Sequence, residues 1–194
     1  MPIILFNDGW MIYNCYLALL AVGFGFTYLQ VKGKFMKVFF GILWLLFLPN
    51  TIYIFTDLEH LIFQWNVVFL HIRYLLIAQY IVFEIVGIIS FLLAVIPFEQ
   101  IIQKVKVFKN KKLPILIVFN FLVAFGMVLG RVERINSWEV FTSPVKVISS
   151  AIHVFSSVDL LGITILFGLF CNFVYFLFRN NFILRTMKLF HVLD

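Results

Sequence analysis

Apolar residues run along this chain in five long stretches: Trp10 to Leu29, Val38 to Thr56, Tyr74 to Phe98, Pro114 to Gly130 and Asp159 to Phe178. A helix needs roughly 20 such residues to cross about 30 Å of hydrocarbon, and the fourth stretch sits at the lower limit. Lipid offers a bare backbone no hydrogen bonds, so stretches of this kind cross as α-helices. The pattern predicts an all-α, polytopic transmembrane bundle of about five spans with short loops. Residues 1–194 then form a single integral membrane domain. One shorter segment has a different pattern. From Pro144 to Ser157, helical spacing gathers Lys146, Ser149, Ser150, His153, Ser156 and Ser157 on one side. Val145, Val147, Ile148, Ala151, Ile152, Val154 and Phe155 take the other. This segment is too short to span, so an amphipathic helix lying in the interface is expected. Ser143 is placed to cap it with Pro144 at the first helical position, and Ser156 with Asp159 to cap the last span.

Composition agrees with the pattern: 63% of residues are hydrophobic and 12% charged, against about 45–50% and 25% in soluble domains. The cations decide orientation. Lys32, Lys34 and Lys37 follow the first stretch; Lys104, Lys106, Lys109, Lys111 and Lys112 follow the third; Arg179, Arg185 and Lys188 follow the last. The second loop has Arg73 against Asp57 and Glu59, and the fourth balances Arg131, Arg134 and Lys146 with Glu133, Glu139 and Asp159. Positively charged loops stay in the cytoplasm, so the N-terminus is expected outside and the C-terminus inside. Trp10, Trp65 and Trp138 then fall at the outer interface, where aromatic belts form. The formal charge of +6 lies at span ends rather than on one face, which favours anionic lipid over nucleic acid as its partner. Met1 to Trp10 has no basic start and carries Asp8, so the first stretch is expected to remain as a helix. Cys15 and Cys171 fall at different depths and have no metal-site spacing.

Two polar clusters carry the candidate chemistry. Pro49 lacks an N–H and should kink the outer half of the second span. Beyond it Asn50, Tyr53, Asp57 and His60 fall within an arc of about 80° if the helix resumes. A carboxylate three residues before a histidine can hold one imidazole tautomer, which makes His60 a candidate base and Asp57 its orienter. Asn50 lies in the apolar zone and needs a partner. The second cluster is Arg131, Arg134, Asn136, Trp138 and Glu139, where the fourth span ends. Its arginine forks suit phosphate or carboxylate. The charge-derived topology places both clusters outside, so one shared site is expected, with Arg131 or Arg134 reaching the Asn50–His60 stripe. A metal version of the site would use Asp57, His60 and Glu139, with His71 or His153. Glu84, mid-way along the third span, is expected to bond Tyr80 or Asn120. Gly126 and Gly130 form a small-residue face for close helix packing.

The two motifs are Leu48-Pro49-Asn50-x-x-Tyr53-x-x-Thr56-Asp57-x-x-His60 and Gly130-Arg131-x-x-Arg134-x-Asn136-Ser137-Trp138-Glu139. Together they resemble a family of small bacterial membrane proteins known as domain of unknown function 1361. Glu139 stands where aspartate is expected to be commoner. The resemblance covers most of the chain and implies a fold and a place to look, with no reaction attached. Two functional classes stay open. One is an enzyme of the bacterial envelope acting on a lipid, lipoprotein or lipid-linked substrate, with Asn50, Tyr53, Arg131, Arg134, Asn136, Trp138 and Glu139 as binding residues. The other is a non-catalytic lipid-binding or assembly subunit. A small transporter with Glu84 as proton carrier has the least support, since no repeat is visible. In each case a multi-pass protein of the cell membrane is expected, in contact with membrane lipids.

Overall fold

The computed structural model describes residues 2–105 and 111–179. Among these residues the chain forms nine helices and no strand. They are α1 (Pro2–Gln30), α2 (Lys34–Phe47), α3 (Asn50–Thr56), α4 (Leu58–Trp65), α5 (Leu70–Lys104), α6 (Lys112–Arg131), α7 (Glu139–Thr142), α8 (Pro144–Ser156) and α9 (Val158–Phe178). Five segments are long and apolar enough to cross a membrane: Ile3–Gln30, Lys34–Trp65, Leu70–Lys104, Lys112–Arg131 and Val158–Phe178. The chain is therefore a multi-pass membrane protein built from helices alone, as the apolar pattern predicts. Of the cations used to orient it, Lys106, Lys109, Arg185 and Lys188 lie outside the described residues.

The first three spans run well past their apolar cores, and the reason is side-chain pairing. Asn7 donates from Nδ2 to Gln64 Oε1 at 2.8 Å, and Gln64 Nε2 returns a bond to Asn7 Oδ1 at 2.9 Å. Gln79 Nε2 reaches Asp8 Oδ1 at 2.7 Å, and Trp10 Nε1 donates to Asn7 Oδ1 at 3.3 Å. These amides join the start of α1, the end of α4 and the start of α5. Helix continues through polar residues because they satisfy one another.

The third span is the centre of the bundle: half of its most apolar window is buried, against 17% for the first span. Helix α1 packs on α2 and α5, α3 fits against α1 and α5, and α6 pairs with α9. Pro97 lies inside α5, where its ring removes one backbone donor. Trp44 of α2 donates its indole N–H to the Ala94 carbonyl close by, at 2.8 Å. Phe98 stacks on Phe119 of α6 with ring centroids 3.6 Å apart.

Helix α8 forms where expected, with Pro144 in its first turn, but its details differ. The Ser143 side chain makes no capping bond. The apolar side divides: Val154 is fully buried, while Val145, Ile148, Ile152 and Phe155 are exposed. Two of its neighbours are α6 and α9. Ser157, not Ser156, caps the last span, accepting from the Leu160 N–H at 3.4 Å. Ser156 instead donates to the His153 carbonyl at 3.0 Å, because α9 starts one residue later than the capping box requires.

Candidate functional site

The second span is broken twice, and each break prepares a wall of the site. Helix α2 closes with the Leu48 N–H on Trp44, after which Pro49 has no donor to continue the ladder. The carbonyls stranded at this break are met by side chains. Ser137 donates to Leu46 at 2.8 Å, Asn50 to Phe47 at 2.9 Å and Thr51 to Leu48 at 2.8 Å. Asn50 thus finds its partner within its own break rather than in an arginine, which corrects the sequence expectation. The second break falls at Asp57, which ends α3 and begins α4.

Glycines on α6 let this broken segment come close. A Cβ added to Gly126 would lie 2.5 Å from Pro49 Cγ, and one added to Gly130 would overlap the Tyr53 hydroxyl. The small-residue face of the fourth span therefore receives Pro49 and Tyr53 of the first motif. One turn of contact brings the two motifs together.

Asp57 is the junction. It is 1% exposed and accepts from Arg131 Nη2 at 2.6 Å and from Asn14 Nδ2 at 2.8 Å, one bond on each carboxylate oxygen. This joins α1, the α3–α4 break and α6 in one charge-assisted network. The expected reach of Arg131 to the Asn50–His60 stripe is present. His60 Nε2 lies 3.9 Å from Asp57 Oδ1, which is no hydrogen bond. That oxygen is already held by Arg131, so Asp57 does not orient the imidazole as the spacing implied. The His60 side chain is half exposed, and its ring meets Trp10 edge-on at 5.4 Å.

Beside this network lies a cavity of about 170 Å³, lined by Tyr13, Asn14, Leu17, Phe47, Asn50, Tyr53, Gly130, Ile135, Asn136, Ser137 and Trp138. Of the sequence-derived binding residues, Asn50, Tyr53, Asn136 and Trp138 line it. A smaller cavity of about 120 Å³ shares Tyr53, Gly130 and Ser137 with it and is also lined by Pro49, Gly126 and Val147, which brings α8 to the edge of the site.

The remaining candidates fall elsewhere. Arg134 is exposed, has a φ of 55° and makes no hydrogen bond or ion pair among the described residues. Positive φ at this residue turns the chain after α6 and takes the side chain away from the stripe. Glu139 is tied to Lys146 Nζ at 2.6 Å and to the Asn136 backbone N–H at 2.6 Å. The Lys146 bond first, then the Asn136 N–H, holds its carboxyl below the usual glutamate range. His153 pairs with Glu133 at 3.0 Å, and His71 stacks on Phe69. The expected metal set of Asp57, His60 and Glu139 is therefore not assembled. Among the described residues no three His, Cys, Asp or Glu side chains are grouped to hold a metal ion.

Glu84 also departs from expectation. Neither of its buried carboxyl oxygens has a hydrogen-bond partner among the described residues. Tyr80 turns to Gln64 at 3.5 Å and Asn120 to Asn172 at 3.0 Å instead. Two features escaped sequence reading altogether. Asn14 is a lone amide in an apolar run, a signal that a partner is required. The other is Glu99, fully buried and held by the Tyr175 hydroxyl, by Lys112 at 2.5 Å and by Arg179 at 2.9 Å. Its two cations sit at the ends of spans, where a sequence reads them as orientation charges only.

No curated protein and no solved structure matches this chain. A family described as a protein of unknown function (DUF1361) matches residues 13–174, a stretch that includes Asn14, both motifs and every residue lining the cavity between them. The chain belongs to that DUF1361 family.

Proposed function

We propose that this chain is a bacterial cell-membrane protein, N-terminus out and C-terminus in, that binds the polar end of a membrane lipid or lipid-linked molecule. The observation that carries this reading is the polar cavity walled by both motifs at the end of the fourth span. A polar cavity at this position opens at the level of head groups, and the apolar flanks of the same helices face acyl chains. Asp57 and Arg131 serve as its frame. Arg131 and Asn14 take one Asp57 oxygen each, which fixes the carboxylate as a structural tie between α1, α6 and the α3–α4 break. An enzymatic reading rests on one observation, the half-exposed His60 ring held by Trp10 next to the Asp57–Arg131 pair. As a general base it would need a substrate hydroxyl or water brought to it, since no nucleophilic side chain bonds it among the described residues.

The test is lipid co-purification. Protein extracted in mild detergent should carry one head-group class enriched over the surrounding membrane, and Trp138→Ala should reduce that enrichment several-fold. Lipid in bulk proportions, unchanged by the substitution, would remove the head-group reading. Orientation is checked by labelling single cysteines in intact cells with an impermeant reagent. A cysteine at Asn66 should label and one at Lys34 should not.

A further inference from the structure

The cavity lining offers hydrogen-bond donors and acceptors but no charge, and this narrows the ligand. Three of its side chains are primary amides, and in each the nitrogen gives one of its two hydrogens to a protein acceptor. Asn14 Nδ2 is on Asp57 at 2.8 Å, Asn50 Nδ2 on the Phe47 carbonyl at 2.9 Å, and Asn136 Nδ2 on Glu139 at 3.4 Å. Each of these acceptors is an oxygen with no hydrogen to give, so the amide must present nitrogen to it, which settles which atom is which. The three Oδ1 atoms then have no protein donor among the described residues. Ser137 donates its hydroxyl hydrogen to Leu46 and keeps only lone pairs. Tyr13 and Tyr53 have hydroxyls with no protein hydrogen bond among the described residues, able to accept as well as donate. Trp138 adds one indole N–H, a donor only, on a half-exposed ring.

The lining carries no charge. Arg131 is outside it and neutralised by Asp57, Glu139 is outside it and paired with Lys146, and Arg134 is not part of it. A phosphate anion or a bare ammonium would each be desolvated here without a counter-charge. Hydroxyl groups fit both limits. They donate to the free oxygens, accept from Trp138 and bring no charge into the cavity, and a polyol can do so at several points together.

We infer that the cavity between the two motifs takes the hydroxyl-bearing tip of a lipid head group, a sugar or glycerol unit, with any phosphate left outside. This rests on the head-group-binding reading above and assigns its ligand class. It departs from the phosphate specificity that two neighbouring arginines imply in the sequence.

The experiment is competition between lipids of matched acyl chains, read by native mass spectrometry of the full chain in detergent. The probes are glucosyl-diacylglycerol, phosphatidylglycerol, phosphatidylethanolamine and phosphatidic acid. Hydroxyl-tipped glucosyl-diacylglycerol and phosphatidylglycerol should be retained about tenfold over the other two, the factor expected when an unsatisfied buried polar group is avoided. Their ratio to each other distinguishes a sugar from a glycerol tip. Removing two hydroxyls by the pair Tyr13→Phe and Tyr53→Phe should shrink that preference, while bound phosphatidic acid stays at its low level. A preference for phosphatidic acid or phosphatidylethanolamine overturns the hydroxyl assignment and leaves head-group binding standing. Equal retention of all four removes the inference and the head-group reading together. A wild-type preference untouched in the tyrosine variant shows that the lipid sits elsewhere, and overturns the assignment to this cavity. The wild-type comparison does not depend on how well the variant folds.

Discussion

The two ends of the bundle each bury one carboxylate, and they use it differently. Along α6 the two sites are marked by Lys112 and Arg131, nineteen residues apart (131 − 112), or about 28 Å by helical rise and close to the thickness of a bilayer core. At one end Glu99 collects two cations and a phenol, all from helices that meet there. The neighbouring cavity, about 540 Å³ between α2, α5 and α6, is lined by apolar side chains and Lys111 alone. At the other end Asp57 takes one cation and one amide, and the adjoining cavity has an uncharged lining with three amides whose oxygens accept from no protein donor among the described residues. The first arrangement is a lock between α5, α6 and α9. The second is also a lock, but its by-product is a cavity whose acceptors point to a ligand. A buried ion pair is thus no sign of function by itself; unsatisfied groups beside it are.

Removing Glu99 should have the largest effect. Glu99→Leu strands Lys112 and Arg179 near each other, a loss of about 3–5 kcal/mol for a broken buried pair. Thermal unfolding in detergent should drop steeply, and adding Lys112→Met should recover part of the loss. If Glu99→Leu unfolds with the parent, the lock reading of that end is wrong.

Asp57→Ala should cost less, about 1–3 kcal/mol, because Arg131 lies at the end of its helix and can turn to water. His60→Ala should leave unfolding close to the parent, since the ring makes no hydrogen bond to Asp57. Lipid retention sharpens the contrast between these two variants. It should fall in Asp57→Ala, whose frame is lost, and in His60→Ala it should stay if the site binds without reacting. A His60→Ala variant that reproduces the deletion phenotype, with lipid still bound, would favour the enzymatic reading.

The smallest effect concerns Glu139, which is partly buried and lies outside the spans. Its carboxyl titrates below the ordinary glutamate value of 4.5, through Lys146 and the Asn136 N–H. A depressed folded pKa means the bond is complete above the ordinary value and is lost as pH falls through the lowered one. Protection of the Asn136 amide from exchange, relative to the intrinsic rate, should therefore hold at neutral pH and fall only at acid pH. Glu139→Gln should make that exchange faster at pH 7 and flatten its pH dependence. Acceleration as pH rises from 5 to 7, beyond the intrinsic base catalysis seen in an unstructured peptide, would contradict the assignment.

Much of the fold is legible in the sequence because lipid imposes a simple requirement. A backbone in hydrocarbon must satisfy itself, so length and apolarity alone mark five spans. Pro49 announces its break for the same local reason, a missing donor, and Gly126 and Gly130 mark where a neighbour comes close. Local signals fail where a side chain's partner lies far along the chain. Asn7 and Gln64 are 57 residues apart and Asn14 and Asp57 are 43 apart, so helix ends set by these pairs run longer than apolarity implies. Local spacing was also misleading at His60, three residues from Asp57, because Arg131 and Asn14 compete for the same carboxylate and win.

Arg131 and Arg134 read alike in the sequence, and only the turn at positive φ separates the one that meets Asp57 from the one that faces out. The three cavity amides look like general polar contacts until each nitrogen is seen to hold a protein oxygen, which leaves the amide oxygen over. The amino-acid sequence by itself determined that this is a helical membrane protein, where its second span breaks and that its two motifs share one end. Tertiary structure alone decided which polar groups satisfy each other and which are left over, because a hydrogen bond depends on the position of a partner that sequence distance does not encode.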